Sequence, residues 1–169
     1  MSETANFPPA TLERFAREVG KYPADQKQSA VMACLAIVQQ EQGYVSADSE
    51  NGIAAYLGMP PIAVHEVTTF YNMYNQRPLG RYKINVCTNL PCQLREGQDA
   101  LEHLCRRLGV EEGETTADGL ITIQKSECLG ACADSPVLLV NDRQMCSFMT
   151  HERLDALVSV LKSQTDSSR

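Results

Sequence analysis

The chain has 169 residues, 43% of them hydrophobic and 21% charged, which is the make-up of a folded protein with a real core. That length suits one ordinary domain or two small ones and excludes a large multidomain enzyme. Fifteen basic against 21 acidic residues give a formal charge of -6, so no electrostatic footprint for nucleic acid is expected.

The longest apolar run, Ala30 to Val38, falls well short of the roughly 20 residues that a membrane-spanning helix needs, so no membrane insertion is expected. The opening Met1-Ser2-Glu3-Thr4-Ala5-Asn6 lacks the positive flank and apolar segment of a secretion signal, and a reducing cytoplasm is the expected compartment. Seven cysteines in such a compartment point to metal ligation or redox chemistry ahead of structural disulfides.

Leu12, Phe15, Ala16 and Val19 fall at helical spacing and predict a short amphipathic helix that ends at Gly20. Val31, Cys34, Leu35 and Val38 predict a second helix, the longest in the chain, with Asp25 as a possible N-cap and Gly43 as a left-handed stop. Ser46 or Asp48 caps a third, carrying Ile53, Tyr56 and Leu57 and stopping at Gly58. Pro60-Pro61 suits the first turn of a fourth, whose face reads Val67, Phe70, Tyr71 and Tyr74. Four helices with short connections describe a helical bundle, and the aromatic residues of the fourth read as core or as an interface.

At Arg77-Pro78-Leu79-Gly80 the pattern changes to the alternation of Tyr82, Ile84 and Val86 against Lys83 and Asn85. We place a domain boundary there, giving a helical domain over 1–78 and a mixed domain over 79–169. Leu101, Leu104, Cys105 and Leu108 predict a helix closed by Gly109, followed by a strand over Leu120 to Gln124. Val137 to Val140 reads as a buried strand, Asn141-Asp142 as a tight turn and Arg143 to Phe148 as the hairpin partner. Leu154, Leu157, Val158 and Leu161 form a closing helix, and Ser163 to Arg169 reads as a disordered tail. The order β-α-β-β-α, with one parallel crossover and one antiparallel hairpin, fits a thioredoxin-like sheet flanked by helices, so the fold class is α+β. Ser135-Pro136 lies where such folds often hold a cis proline, although a proline at a strand start fits equally well.

Four cysteines are expected outside regular elements: Cys87 and Cys92 after the first strand, Cys128 and Cys132 after the second. Loops that follow two parallel strands emerge at one edge of the sheet, where four thiolates can meet around a metal. Cys34, Cys105 and Cys146 fall on apolar faces or in a strand and read as small hydrophobes. Zinc and an iron-sulfur cluster both suit four thiolates, but neither pair has the C-x2-C spacing of a zinc knuckle. The spacings C-x4-C and C-x3-C lean towards a [2Fe-2S] core, which takes two thiolates on each iron. Leu129-Gly130-Ala131 between the second pair is small enough for backbone amides to approach sulfur. A nearby Arg95 or Lys125 would raise the potential of such a cluster. His65, His103 and His151 lie on predicted helices away from these loops and read as packing or surface residues.

Three segments taken together carry a family signature: His65-Glu66-Val67-Thr68-Thr69-Phe70-Tyr71, Val86-Cys87-Thr88-Asn89-Leu90-Pro91-Cys92 and Glu127-Cys128-Leu129-Gly130-Ala131-Cys132. The chain resembles the thioredoxin-like [2Fe-2S] subunits of NADH:quinone oxidoreductase, respiratory complex I (the NuoE family). That resemblance implies a helical N-terminal domain followed by a thioredoxin-like ferredoxin domain, with Cys87, Cys92, Cys128 and Cys132 as cluster ligands. It implies a subunit of an oxidoreductase that exchanges single electrons with the flavin of a partner subunit. FMN and NADH would be bound by that NADH-oxidising partner only, in a complex with other peripheral-arm subunits at the inner face of the membrane. No catalytic residue and no NADH oxidation are expected of this chain alone, in keeping with the absence of a G-x-G-x-x-G fingerprint. The same family serves NAD-reducing hydrogenases and NAD-dependent formate dehydrogenases. From other classes, a thiol-disulfide oxidoreductase or a structural zinc module would also use these cysteines, but the first lacks a C-x-x-C motif and leaves Cys128 and Cys132 idle.

Overall fold

The computed structural model describes residues 7–166, so Met1 to Asn6 and the last three residues lie outside the described chain. It divides into two compact units, Met1–Pro78 and Leu79–Arg169.

In the first unit, helix α1 (Pro9–Val19) starts at a proline, whose fixed backbone angle suits the first helical turn. It buries Thr11 and Phe15 and leaves the expected Leu12 and Ala16 exposed. Thr11 turns inward because its hydroxyl donates to Glu41 Oε2 at 2.7 Å. A 3-10 segment, Ala24–Ala30, leads into α2 (Val31–Gln42). Asp25 therefore sits in that segment and caps nothing: the position before α2 is held by Ala30. Gly43 ends α2 at φ +84°, a left-handed turn that glycine adopts without steric cost. Ser46 settles the choice of cap for α3 (Ala47–Leu57), its Oγ accepting from the Ser49 amide at 3.1 Å.

Helix α4 (Pro61–Phe70) corrects the expected aromatic face. It buries Val64 and Thr68, whereas Phe70 is 79% exposed. Tyr71 and Tyr74 lie beyond its end, and Tyr74 is buried with its hydroxyl donating to the Met32 carbonyl at 2.9 Å. A polar residue takes the inner face because Glu50, buried on α3, accepts the Thr68 hydroxyl and lies 2.9 Å from His65 Nδ1. The surrounding core includes Phe15, Leu35, Val38, Ile53 and Leu57, all fully buried.

The second unit holds a four-stranded sheet in the order β2-β1-β3-β4. Strand β1 (Tyr82–Cys87) pairs in parallel with β2 (Ile121–Ser126), placing Ile84 opposite Ile123 and Cys87 opposite Ser126. Strand β3 (Leu138–Val140) runs antiparallel to β1, and β4 (Gln144–Cys146) completes the hairpin. Asn141 and Asp142 both have positive φ, 51° and 55°, as the tight turn between twisted strands requires. The alternation in β1 predicts exposed Lys83 and Asn85, yet both are buried. Asp142 makes that possible: it pairs with Lys83 Nζ at 2.6 Å and accepts from Asn85 Nδ2 at 2.8 Å.

A single-turn helix α5 (Leu90–Gln93) and the longer α6 (Gly97–Leu108) connect β1 to β2. The closing α7 (His151–Asp166) has 16 residues, so it exceeds α2, and it carries Ser163 to Asp166 as helix where a disordered tail was expected. Ile84, Leu104, Ile121, Ile123 and Leu154 are fully buried between sheet and helices. Each such aliphatic side chain contributes about 1.5–3 kcal/mol by leaving water. This packing fixes the ends of β1 and β2, from which the cysteine segments emerge.

Candidate metal centre

Parallel pairing puts Cys87 at the end of β1 and Cys128 just past the end of β2, on one edge of the sheet. Cys92 lies in α5, where Pro91 starts a helical turn, and Cys132 opens a 3-10 turn that runs to Asp134. The expectation that all four lie outside regular elements is corrected: only Cys128 does, since Cys87 is the last residue of β1 and Cys92 and Cys132 sit in one-turn helices too short to show periodicity.

Two different environments meet there. Cys87 and Cys92 are buried at 1% exposure and pack with Val137, Leu129 and Ala131, whereas Cys128 and Cys132 are exposed. Cys87 and Cys92 share one buried cluster, and Cys128 Sγ lies 3.5 Å from Cys132 Sγ. A tetrahedral metal with thiolate bonds of about 2.3 Å holds two sulfurs roughly 3.8 Å apart, so the spacing within this second pair suits two ligands of one ion. All four thiols interact electrostatically at Cys132. Among the described residues no three His, Cys, Asp or Glu side chains converge on a single ion. The thiols are arranged as two pairs, and two pairs fit a core with two irons that takes two thiolates on each.

Burial pushes the Cys87 thiol up, the nearby backbone of Asn89 and Leu129 lowers it, and Cys92 raises it further. The Cys132 thiol is raised chiefly by its hydrogen bond with Cys128 and then by desolvation. A bound metal would replace these protons and remove that cost. Gly130, at φ +79°, donates its N–H to Cys128 Sγ at 3.4 Å, the close amide approach that the small Leu129-Gly130-Ala131 segment predicts. Donors aimed at sulfur favour the thiolate and orient it.

Several contacts were invisible in the spacing. Asn89 Nδ2 donates to Glu127 Oε2 at 2.8 Å and so ties the two cysteine segments together. Ser135 Oγ lies 3.2 Å from Cys92 Sγ and 2.7 Å from the Cys132 carbonyl oxygen. The Ser135-Pro136 bond is cis. Arg95 borders a cleft with Leu94, Ser135, Pro136 and Phe148, while Lys125 is engaged by Glu112 at 3.5 Å. Position along the chain signalled Ser135 only through its proline neighbour.

The remaining candidates lie elsewhere. Cys34 is fully buried in α2, and Cys105 and Cys146 are half-buried against the core of the second unit. Each histidine meets a carboxylate: His65 Glu50, His103 Asp155 at 3.0 Å, and His151 Asp99 at 2.6 Å. His103 and His151 also stack, with ring centroids 4.0 Å apart.

A small mixed sheet between helices, with two thiol pairs at the edge where its parallel strands end, has the build of a thioredoxin-like protein adapted to hold metal. The chain belongs to the thioredoxin-like [2Fe-2S] ferredoxin family, whose model matches residues 15–162. NADH-quinone oxidoreductase subunit 2 of Thermus thermophilus is 38% identical over 143 residues, 85% of this chain and 79% of the relative. An NADH-quinone oxidoreductase subunit from Rickettsia conorii is 36% identical over 146 residues, 86% of this chain and 87% of the relative. Among solved structures, an NAD+-reducing [NiFe]-hydrogenase superposes with a TM-score of 0.65 at 23% identity. That match covers 80% of this chain and 23% of the hydrogenase chain, a likeness of fold. No described helix is long and apolar enough to cross a membrane.

Proposed function

We propose that this chain is the [2Fe-2S] electron-transfer subunit of an NADH:quinone oxidoreductase, with Cys87, Cys92, Cys128 and Cys132 as the cluster ligands. The observation that carries the reading is the arrangement of these four thiols as a buried pair, Cys87 with Cys92, and an exposed pair, Cys128 with Cys132, with the Gly130 N–H donating to Cys128. The naming of its relatives as NADH-quinone oxidoreductase subunits, across most of their length, supports the respiratory assignment over the hydrogenase one.

When bound, a [2Fe-2S] cluster supplies one-electron chemistry without an acid, base or nucleophile. The chain's own work is then to hold thiolates rigidly, donate to their sulfurs and shield one pair from water. Buried Cys87 and Cys92 do the shielding, while exposed Cys128 and Cys132 face outward, where a partner can approach. The partner in this reading is the flavin-containing, NADH-binding subunit, which holds FMN and NADH, within a peripheral arm at the inner face of the membrane. Residues 1–78 act as a helical bundle domain separate from the ferredoxin domain, 79–169. Exposed Phe70, packed edge-on against Tyr71, offers an apolar anchor for that assembly.

Anaerobic purification followed by iron, acid-labile sulfide and visible-spectrum measurements tests the reading. Equal iron and sulfide, lost or distorted when Cys87, Cys92, Cys128 or Cys132 is individually changed to Ser but kept in Cys105→Ser, is the expected result. Zinc without sulfide overturns it. Reduction of the cluster by NADH only after the flavin-containing partner is added tests the partner assignment.

A further inference from the structure

Ser135 is buried at 2% exposure between the two cysteine pairs. Its Oγ lies within reach of two groups, Cys92 Sγ at 3.2 Å and the Cys132 carbonyl oxygen at 2.7 Å. A hydroxyl has one hydrogen to give and two lone pairs to offer. With Cys92 protonated, every group is served: the thiol donates to Ser135 Oγ, and the hydroxyl donates to the carbonyl.

A thiolate has no hydrogen to give, so once Cys92 serves as a ligand the contact changes character. Kept as before, it would aim the lone pairs of Ser135 Oγ at a charged sulfur in a buried, weakly screened place. Rotation of the hydroxyl removes that conflict by turning its hydrogen to sulfur. The Cys132 carbonyl keeps a donor after the rotation, because the Ser135 backbone N–H also reaches it, at 3.4 Å.

We propose that the Ser135 hydroxyl donates a hydrogen bond to the Cys92 thiolate and thereby raises the reduction potential of the cluster. The inference rests on the reading of Cys92 as a ligand. Its direction follows from charge: an electron added to the cluster increases the negative charge on the thiolate sulfurs, so a donor aimed at one of them stabilises the reduced state more than the oxidised state. Burial amplifies the effect by lowering the local dielectric. Cys128 receives a backbone N–H group, that of Gly130. For Cys92 a side chain fills that role, which makes Ser135 a positioning residue that substitution can vary without touching the backbone.

The test is a redox titration of the full chain purified anaerobically with its cluster, followed by electron paramagnetic resonance, with iron and sulfide measured in every sample. Electron-nuclear double resonance in ordinary and heavy water detects the exchangeable hydrogen near sulfur. Ser135→Ala should keep its iron and sulfide, titrate at a lower potential than wild type and lose one exchangeable hydrogen coupling, whereas Ser135→Thr should retain both the potential and the coupling. A Ser135→Ala protein with full iron and an unchanged potential overturns the proposal. If Ser135→Ala does not hold its cluster, Ser135→Cys, which leaves a weaker donor in place, decides: a potential below wild type supports the inference and an equal one overturns it. Cys92→Ser with an unaltered cluster would instead overturn the ligand reading, an outcome distinct from the failure of Ser135.

Discussion

Gly97 opens α6 directly against Cys92, so closely that a Cβ at this position would lie 2.8 Å from the carbonyl oxygens of both Cys87 and Cys92. Backbone, unlike a flexible side chain, cannot step aside from such a contact. Gly97→Ala must therefore push the first cysteine segment away from the helix, at a cost of about 1–3 kcal/mol. The expected result is a lower thermal midpoint together with a lower iron content. Gly109→Ala is the control: its φ of +69° disfavours alanine, but no atom lies within 4 Å of its Cβ position, so stability falls while iron is kept. Equal iron content in the two variants would count against the steric account.

Much of this site was legible because strands leave strong signals. The alternation around Tyr82, Ile84 and Val86 placed β1, and parallel pairing with β2 then put Cys87 and Cys128 on one edge. Glycine stops at Gly43 and Gly58 also read correctly, since positive φ has a sequence cost that only a few residues escape. Contacts between residues far apart in the chain were not legible. Thr68 faces inward because Glu50 waits there, and Lys83 is buried because Asp142 does. Neither pairing has a local pattern, so periodicity assigned the inner face of α4 to Phe70 and the outer face of β1 to Lys83. Ser135 was hidden for the same reason: its partner Cys92 lies 43 positions away.

The buried Glu50 carboxylate offers a direct measure of such a long-range pairing. Thr68→Val keeps the shape of the side chain but removes the donor, leaving Glu50 with His65 and one oxygen short of a partner. The cost is that of a desolvated acceptor, about 1–3 kcal/mol, felt in the first unit. Urea unfolding should show the loss in Thr68→Val and most of it recovered in Thr68→Ser. A neutral Thr68→Val would mean that water reaches the carboxylate.

Asp118 carries an acid dependence whose sign is fixed. The Thr116 hydroxyl, and then the Leu120 N–H at 3.0 Å, hold its carboxyl below the ordinary 3.8. A folded value below the unfolded one means stability that is complete above pH 3.8 and lost as the pH falls through the folded value. The residue is exposed, so solvent screening keeps the contribution small. Asp118→Asn should reduce urea stability above pH 3.8 and converge on wild type below the folded value. A gap between the two proteins that stays constant through that range would refute the assignment.

Cys34 sets the opposite extreme to the outward-facing Cys128 and Cys132. Burial, with a smaller contribution from Glu18, pushes its thiol up to about 12, and no part of it reaches solvent. Alkylation proceeds through the thiolate, so Cys34 should remain unmodified in the folded, metal-free chain under conditions that label the exposed Cys128 and Cys132. Peptide mass mapping before and after unfolding checks this. The same burial predicts an inversion of the usual preference for serine as a substitute. Cys34→Ser brings a hydroxyl that must find a partner among apolar neighbours or cost about 1–3 kcal/mol, whereas Cys34→Ala forfeits only the packing of one sulfur. Thermal unfolding should therefore rank wild type above alanine and alanine above serine, and a serine variant as stable as wild type would show that the α2 backbone supplies the hydroxyl with an acceptor.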